Sequence, residues 1–161
     1  MKEIGYNRIK AAQYARLWAF GRNPAYYDFE RLGGDCTNFV SQCLFAGCGV
    51  MNFAPVFGWY YRSASDRTAS WTGVEFLYNF LVANEGAGPY AKEAPLGEMR
   101  AGDVIQLGRN GGDFYHSLLV VGFSGSMPLT ATHSFDAYAR PLASYSFEQM
   151  RALHILGARA D

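Results

Sequence analysis

The sequence has little charge, and the charge it has is balanced. Only 17% of its 161 residues are charged, and 14 lysines and arginines stand against 14 aspartates and glutamates. A net charge near zero provides no attraction to a polyanion, so we expect no nucleic-acid partner and no binding to a charged membrane surface. The oligomeric state is left open by the sequence.

Cysteines and long apolar runs are also scarce. Three cysteines are an odd number and cannot complete a disulfide framework, so we expect free thiols. No apolar run approaches the roughly 20 residues of a membrane span. The N-terminal stretch has the pattern of an amphipathic helix rather than that of a signal peptide. These absences favour a cytoplasmic protein by default, with export by another route left open.

Apolar and aromatic residues, by contrast, are plentiful. Half of the residues are apolar and 16% are aromatic, which is typical of a chain with a hydrophobic core. The length suits one compact domain. We therefore expect a single domain over residues 1–161.

Helical periodicity dominates the first half of the chain, and strand patterns dominate the second. Apolar residues recur at helical spacing over residues 6–22 and 36–46, and the spacing of Thr72 and Glu75 predicts a capping box that starts a third helix. Helices followed by an antiparallel sheet indicate an α+β fold, with N-terminal helices packed on a small antiparallel sheet. The strands are predicted at residues 103–107, 115–123, 129–134 and 153–156.

The stretch GGDCTNFVSQCL places Cys36 at the predicted start of the second helix, with Asp35 as its N-cap. Unpaired N–H groups and the helix dipole at such a position favour a thiolate, and the same N–H groups can stabilise an oxyanion. Gly33 and Gly34 permit a sharp turn and the close approach of a substrate. Cys36 is therefore a candidate nucleophile, although burial as a small apolar side chain explains a lone cysteine as well.

The two other cysteines have weaker claims to chemistry. Cys43 shares the apolar stripe of the second helix with Cys36, where a structural role is enough. Cys48 follows the predicted helix end at Gly47 and has no evident partner.

A thiolate nucleophile needs a base and a group that orients the base. His116 opens one predicted strand and His133 ends the next, so pairing of the two strands would bring both to the same end of the sheet. His116 is then the candidate general base, and His133 the candidate partner of its other ring nitrogen. Either histidine could instead be hydrogen-bonded to backbone. His154 lies inside a strand pattern, where a structural role is expected.

Several further residues are candidates for the substrate cleft or for orientation. Asp35 is a candidate for an orienting role beside its role as a cap. Trp59 lies in a long aromatic loop that would suit stacking on a sugar or a peptide, and Ser117 follows the candidate base.

Six segments of the chain together resemble a family of bacterial proteins described as the "Putative amidase domain" family, which is similar to the NlpC-type and CHAP-type peptidases among the papain-like cysteine hydrolases. The resemblance covers roughly residues 6–155. Its most specific part is GGDCTNFVSQ with a downstream HS strand. The segments are YNRIKAAQYARLWA, NPAYYDFERLGGDCTNFVSQCL, FLYNFL, GDVIQL, YHSLLVV and HSFDAYARPL.

The resemblance implies a papain-like fold in which the nucleophile starts a helix that packs on a sheet carrying the base. It implies Cys36 as nucleophile and His116 as base, with His133 as the third polar residue and Asp136 as its rival. The glutamine that often completes the oxyanion hole has no counterpart upstream of Cys36, so Tyr26 or Tyr27 is the implied donor.

The sequence thus predicts a cysteine amidase or peptidase that needs no cofactor or metal and acts on a peptide or amide, of which a murein fragment is the expected example. Acyl transfer or deamidation would use the same residues. Two hypotheses of a different kind compete with this prediction. One is a zinc site of Cys36, His116 and His133, which the spacing of these ligands in the sequence does not favour. The other is a non-catalytic binding module.

Overall fold

The computed structural model describes residues 1–161 as an α+β fold with an antiparallel sheet. Four α-helices precede most of the strands. They are α1 (Arg8–Trp18), α2 (Cys36–Cys48), α3 (Ala69–Thr72) and α4 (Val74–Ala83).

Nine strands and two short 3-10 helices complete the structure. The strands are β1 (Lys2–Glu3), β2 (Tyr61–Ser63), β3 (Asp66–Arg67), β4 (Gly88–Glu93), β5 (Val104–Arg109), β6 (Asp113–Ser124), β7 (Met127–Thr132), β8 (Ala137–Pro141) and β9 (Gln149–Ala160). The 3-10 helices are Leu96–Glu98 and Leu142–Ser144.

Seven strands form the main sheet. Its order is β1-β9-β5-β6-β7-β8, and β4 also pairs with the long strand β9. All of these pairs are antiparallel. β2 and β3 form a separate hairpin.

Alternate residues of the central strands bury opposite faces of the sheet. Val104 and Leu119 join a cluster of 19 buried residues that includes Phe39 of helix α2. Ile105 and Leu118 belong to a second cluster of seven residues on the other face. The helices therefore cover one face of the sheet, and the turns around the 3-10 helices cover the other.

Helix α2 is longer than its sequence pattern predicts. It continues through Gly47 and ends at Cys48, and Gly49, with a φ of 73°, supplies the left-handed conformation of the C-terminal cap. Gly47 instead lies against the ring of Tyr6, where a side chain would clash.

The predicted capping box of the third helix is wrong. Thr72 ends the short helix α3, and α4 begins after Gly73 with no side-chain cap. A turn at Gly73 thus divides the region into two helices.

None of the helices has the length and apolar character needed to cross a membrane.

Candidate active site

Helix α2 begins at a tight turn that is held to the loop after β7. Gly34 has a φ of 104°, and a Cβ atom on it would lie 2.9 Å from Oγ of Ser134. The N–H of Asp35 donates a hydrogen bond to that hydroxyl at 2.9 Å. A residue with a side chain would be both strained and too close at position 34. Cys36, the first residue of the helix, is 6% exposed.

Asp35 occupies the N-cap position, but its side chain does not cap the helix. One carboxylate oxygen accepts hydrogen bonds from the N–H of Phe29 at 2.8 Å and from Nδ2 of Asn38 at 2.9 Å. The other oxygen lies 2.6 Å from Nδ1 of His133. The predicted cap is therefore a buried acceptor that ties the segment before α2 to the end of β7.

Both ring nitrogens of His133 have hydrogen-bond partners other than His116. Its Nδ1 donates to Asp35, and its Nε2 lies 2.8 Å from the carbonyl oxygen of Trp18. Its ring also packs on Phe39 at 4.3 Å between centroids, and the residue is 1% exposed. The prediction that His133 orients the ring of His116 is not met, because both ring nitrogens are engaged elsewhere.

Cys36 and His116 line one cavity of about 310 Å³. Four larger cavities, of about 380, 420, 520 and 560 Å³, are lined by no cysteine or histidine. The cavity of about 310 Å³, here called the Cys36 cavity, therefore brings together the candidate nucleophile and the candidate base. Its lining residues are Gly33, Cys36, Leu107, Tyr115, His116, Ser134, Phe135, Arg140, Tyr145 and Ser146.

Burial raises the pKa of the Cys36 thiol, and hydrogen bonds from the N–H groups of Ser117 and Thr37 oppose that effect. Burial also lowers the pKa of His116 to about 4, with the charge of Arg140 as a second cause. Both shifts favour the uncharged forms. The cavity therefore favours a thiol and a neutral imidazole, whereas the helix-dipole argument from the sequence predicted a thiolate.

Thr132, at the end of β7, is the nearest polar partner of the His116 ring. Its Oγ1 lies 3.5 Å from Nε2 of His116, 2.9 Å from the carbonyl oxygen of Ser117 and 2.8 Å from that of His133. The hydroxyl donates to one of these carbonyls, so a lone pair can accept from Nε2–H. That tautomer leaves Nδ1 of His116 without a proton, as a general base requires.

The side chain of Ser117 lies beneath the cavity and does not line it. Its Oγ is 3.0 Å from Oγ1 of Thr37 and accepts from Nε2 of Gln106 at 3.2 Å. Gln106 in turn accepts a hydrogen bond from Nε of Arg151. This network fixes β6 against the first turn of α2, so Ser117 acts as a support rather than as a cleft residue.

The predicted cleft residue Trp59 is part of the core. It is fully buried and donates from Nε1 to Oγ of Ser41. Its ring stacks on Phe80 at 5.9 Å between centroids and packs at a tilt on Trp71 at 4.5 Å. Its prediction as a cleft residue is wrong, because the aromatic loop folds inward and packs on α3 and α4.

The two tyrosines expected to supply an oxyanion donor do not line the Cys36 cavity. Tyr26 packs on Tyr61 and Trp71. Tyr27 packs against the edge of Phe29, and its carbonyl accepts from Asn38.

Asp136, the rival third residue, pairs with Arg22 through two hydrogen bonds of 2.9 and 3.1 Å. Its contacts give no support to a role in orienting His116.

The remaining cysteines and the third histidine have structural surroundings. Cys43 is fully buried in the larger core cluster, and Cys48 is partly buried. All three cysteines are free thiols, as expected. His154 lies 2.8 Å from the buried carboxylate of Asp103. No three His, Cys, Asp or Glu side chains are arranged to hold a metal ion, so Cys36, His116 and His133 do not form such a group.

The model of the family described as "Putative amidase domain" matches residues 5–156, and the chain belongs to this family.

The chain is also similar to the "Uncharacterized protein YhbB" of Bacillus subtilis. The two are 37% identical over 139 residues, which cover 84% of this chain and 43% of that protein. The chain thus spans less than half the length of this relative. No solved structure matches the chain.

Proposed function

We propose that the protein is a cysteine amidase or peptidase whose nucleophile is Cys36 and whose general base is His116. The observation that carries the proposal is the Cys36 cavity, which the first residue of α2 and a histidine of β6 line together. Family membership supports amide hydrolysis in general. The cysteine mechanism is our own inference from the geometry.

In the first step, His116 takes the thiol proton of Cys36 as the sulfur attacks the amide carbonyl carbon. Because burial favours the uncharged pair, the proton moves during the attack and not before substrate binds. A C–S bond forms, and the carbonyl π electrons move to the oxygen. N–H groups at the start of α2 have no partner within the helix and can stabilise this oxyanion.

In the second step, the C–N bond breaks and the protonated His116 returns its proton to the departing amine, which leaves a thioester on Cys36. Water then attacks the thioester carbon while His116 accepts one water proton, the C–S bond breaks, and the departing sulfur takes that proton from His116. The products are a carboxylic acid and the free thiol. His116 needs only one nitrogen for these transfers, and Thr132 can hold the other.

The arrangement resembles that of papain-like hydrolases, because the nucleophile starts a helix packed on an antiparallel sheet that carries the base. We propose that the chain has this fold type, in the form of the NlpC and CHAP enzymes. Murein stem peptides are then the first substrates to test. Transfer of the acyl group to an amine uses the same thioester and differs only in the acceptor.

The test is hydrolysis of a panel of murein fragments and peptide amides by the wild-type protein and by Cys36→Ser. Cys48→Ser is the matched control, because it removes a thiol outside the cavity. The proposal predicts release of an amine by the wild type and by Cys48→Ser but not by Cys36→Ser. Equal release by Cys36→Ser would exclude a cysteine mechanism, and acyl transfer would appear as a new amide when a free amine is added.

A further inference from the structure

Arg140 on β8 is the only lysine or arginine that lines the Cys36 cavity. No aspartate or glutamate lines that cavity. A cation in a cleft whose lining contains no acid attracts anions, because the low-dielectric walls strengthen its field.

The guanidinium of Arg140 is held in one orientation. Its Nε donates to Oγ of Ser144 at 2.8 Å, and its Nη2 donates to the carbonyl oxygen of the same residue at 3.0 Å. Its Cζ lies 3.8 Å from the ring centroid of Tyr145, which also lines the cavity. Stacking and two hydrogen bonds limit the entropy that Arg140 would lose on binding a ligand.

Arg140 forms no salt bridge, unlike three arginines of β5 and β9. Arg109 pairs with Asp113, Arg151 with Glu75, and Arg159 with Glu3. The nearest acid in sequence, Asp136, is engaged by Arg22. A fixed but uncompensated guanidinium beside a nucleophile has donors available for a planar anion such as a carboxylate.

The surroundings of Arg140 add two observations. The hydroxyl of Tyr145 is shielded from solvent and makes no hydrogen bond within the protein. Ser134 and Phe135 have positive φ values of 62° and 68°, and Phe135 is 91% exposed at the cavity edge. Backbone strain of this kind concentrates at sites that bind ligands.

We infer that Arg140 binds a carboxylate of the substrate close to the scissile amide, so that the substrate class is an amide or peptide bearing a free carboxylate near the bond that is cut. This inference rests on the proposed function, because it places the carboxylate in the cavity of the nucleophile. A bound carboxylate would also neutralise the charge that disfavours a proton on His116, and would make His116 a better base when substrate is present.

Two alkylating reagents that differ in charge test the inference. Iodoacetate carries a carboxylate, and iodoacetamide carries the neutral amide in its place. In both reactions the thiolate sulfur forms a bond to the methylene carbon and iodide leaves. The ratio of the two rate constants at Cys36, measured by peptide mass spectrometry, cancels the thiolate fraction within each variant. The ratio for glutathione under the same conditions supplies the reference.

The rate constant for iodoacetate divided by that for iodoacetamide is expected to be higher at Cys36 of the wild type than for glutathione. Arg140→Gln should lower the ratio by about 5-fold, the size of one screened charge interaction, and Arg140→Lys should retain part of it. Arg159→Gln is the matched control, because Arg159 also stacks on a tyrosine, Tyr90, but does not line the cavity. The control should keep the wild-type ratio.

A salt series on the wild type provides a second test, which does not depend on whether the variants fold equally well. In the wild type, the ratio should fall as salt screens the guanidinium. Equal ratios in the wild type and Arg140→Gln, or a salt-independent ratio in the wild type, would overturn the carboxylate site and leave the nucleophile intact. If neither reagent labels Cys36, the proposed nucleophile fails, and the carboxylate site fails with it.

Discussion

His116 and His133 lie at the same end of the sheet but have opposite polar surroundings. His133 is 1% exposed, and each of its ring nitrogens has an acceptor within 2.8 Å. His116 faces a cavity, and its nearest polar partner is a hydroxyl at 3.5 Å. A histidine whose nitrogens are both engaged holds the structure together, whereas one with a free nitrogen can accept a proton from a ligand or a neighbour.

The two carboxylates that pair with histidines, those of Asp35 and Asp103, also differ from the cavity in having their hydrogen-bond partners in place. Asp35 accepts from His133 and from two other groups, and Asp103 accepts from His154, Arg8 and the N–H of Ile155. Both aspartates are buried. Such clusters fix distant segments, whereas the wall of the Cys36 cavity includes the hydroxyl of Tyr145, which makes no hydrogen bond within the protein.

The largest expected effect concerns the nucleophile. Cys36→Ala should lower amide hydrolysis by at least about 10³-fold, because no other group can form the thioester. Its free energy of unfolding should change little, since the thiol lies at a cavity wall. The check is product formation by chromatography together with urea unfolding. Full activity in Cys36→Ala, or equal losses in Cys48→Ser, would remove the distinction between the cavity and the rest of the chain.

The next effect concerns the structural pair. Asp35→Ala should cost about 3–5 kcal/mol in the free energy of unfolding, because it leaves His133 and two other buried donors without their acceptor. Asp113→Ala breaks an exposed pair with Arg109 and should cost about 1 kcal/mol or less. Urea unfolding of both variants measures the difference. If the two variants lose equal stability, Asp35 and His133 do not support the fold as a buried pair.

His116→Gln should lower hydrolysis by about 10²- to 10⁴-fold with a small effect on stability near neutral pH. The free energy of unfolding of His116→Gln should also depend on pH differently from that of the wild type. Burial lowers the pKa of His116 from 6.5 to about 4 in the folded protein, so the unfolded chain binds the proton first. Wild-type stability should therefore fall as the pH drops from 6.5 to about 4.

The variant lacks this contribution, so the stability of the wild type relative to His116→Gln should decrease over the same interval. Urea unfolding of the wild type and His116→Gln at a series of pH values measures the difference. A difference that does not change with pH would mean that His116 is not held in its neutral form.

The smallest effect concerns the orientation of the base. Thr132→Val should lower kcat about 5-fold with little change in KM, because the contact to Nε2 of His116 is lost. Thr132→Ser keeps the hydroxyl and should recover most of the rate. A loss of stability without this recovery would assign Thr132 to the structure alone, through its bonds to the carbonyls of Ser117 and His133.

The sequence predicts α2 and the strands that carry the histidines because their apolar periodicities are strong. The predicted pairing of the two strands places His116 and His133 at one end of the sheet, and β6 and β7 are paired in the structure. It does not predict β4 or β8, since GPYAKE and AYARP lack the β-branched runs typical of strands.

The partners of individual side chains are less predictable. Asp35 and His133 are 98 positions apart, and a local capping pattern explains Asp35 without that contact. Trp59 has the sequence surroundings of a loop residue, and only the packing of α3 and α4 buries it. Arg140 lies in the segment HSFDAYARPL, but nothing in that segment predicts its place in the cavity, because only the return of β8 along β7 brings it there.

The central claim is that Cys36 forms a covalent intermediate with the help of His116. The most direct measurement is mass spectrometry of the protein mixed rapidly with an activated acyl ester. We expect an acyl thioester on Cys36 alone, which decays by hydrolysis in the wild type and forms and decays more slowly in His116→Gln. Acylation spread over all three cysteines, or a Cys36 adduct that forms and decays at the same rates without His116, would contradict the claim.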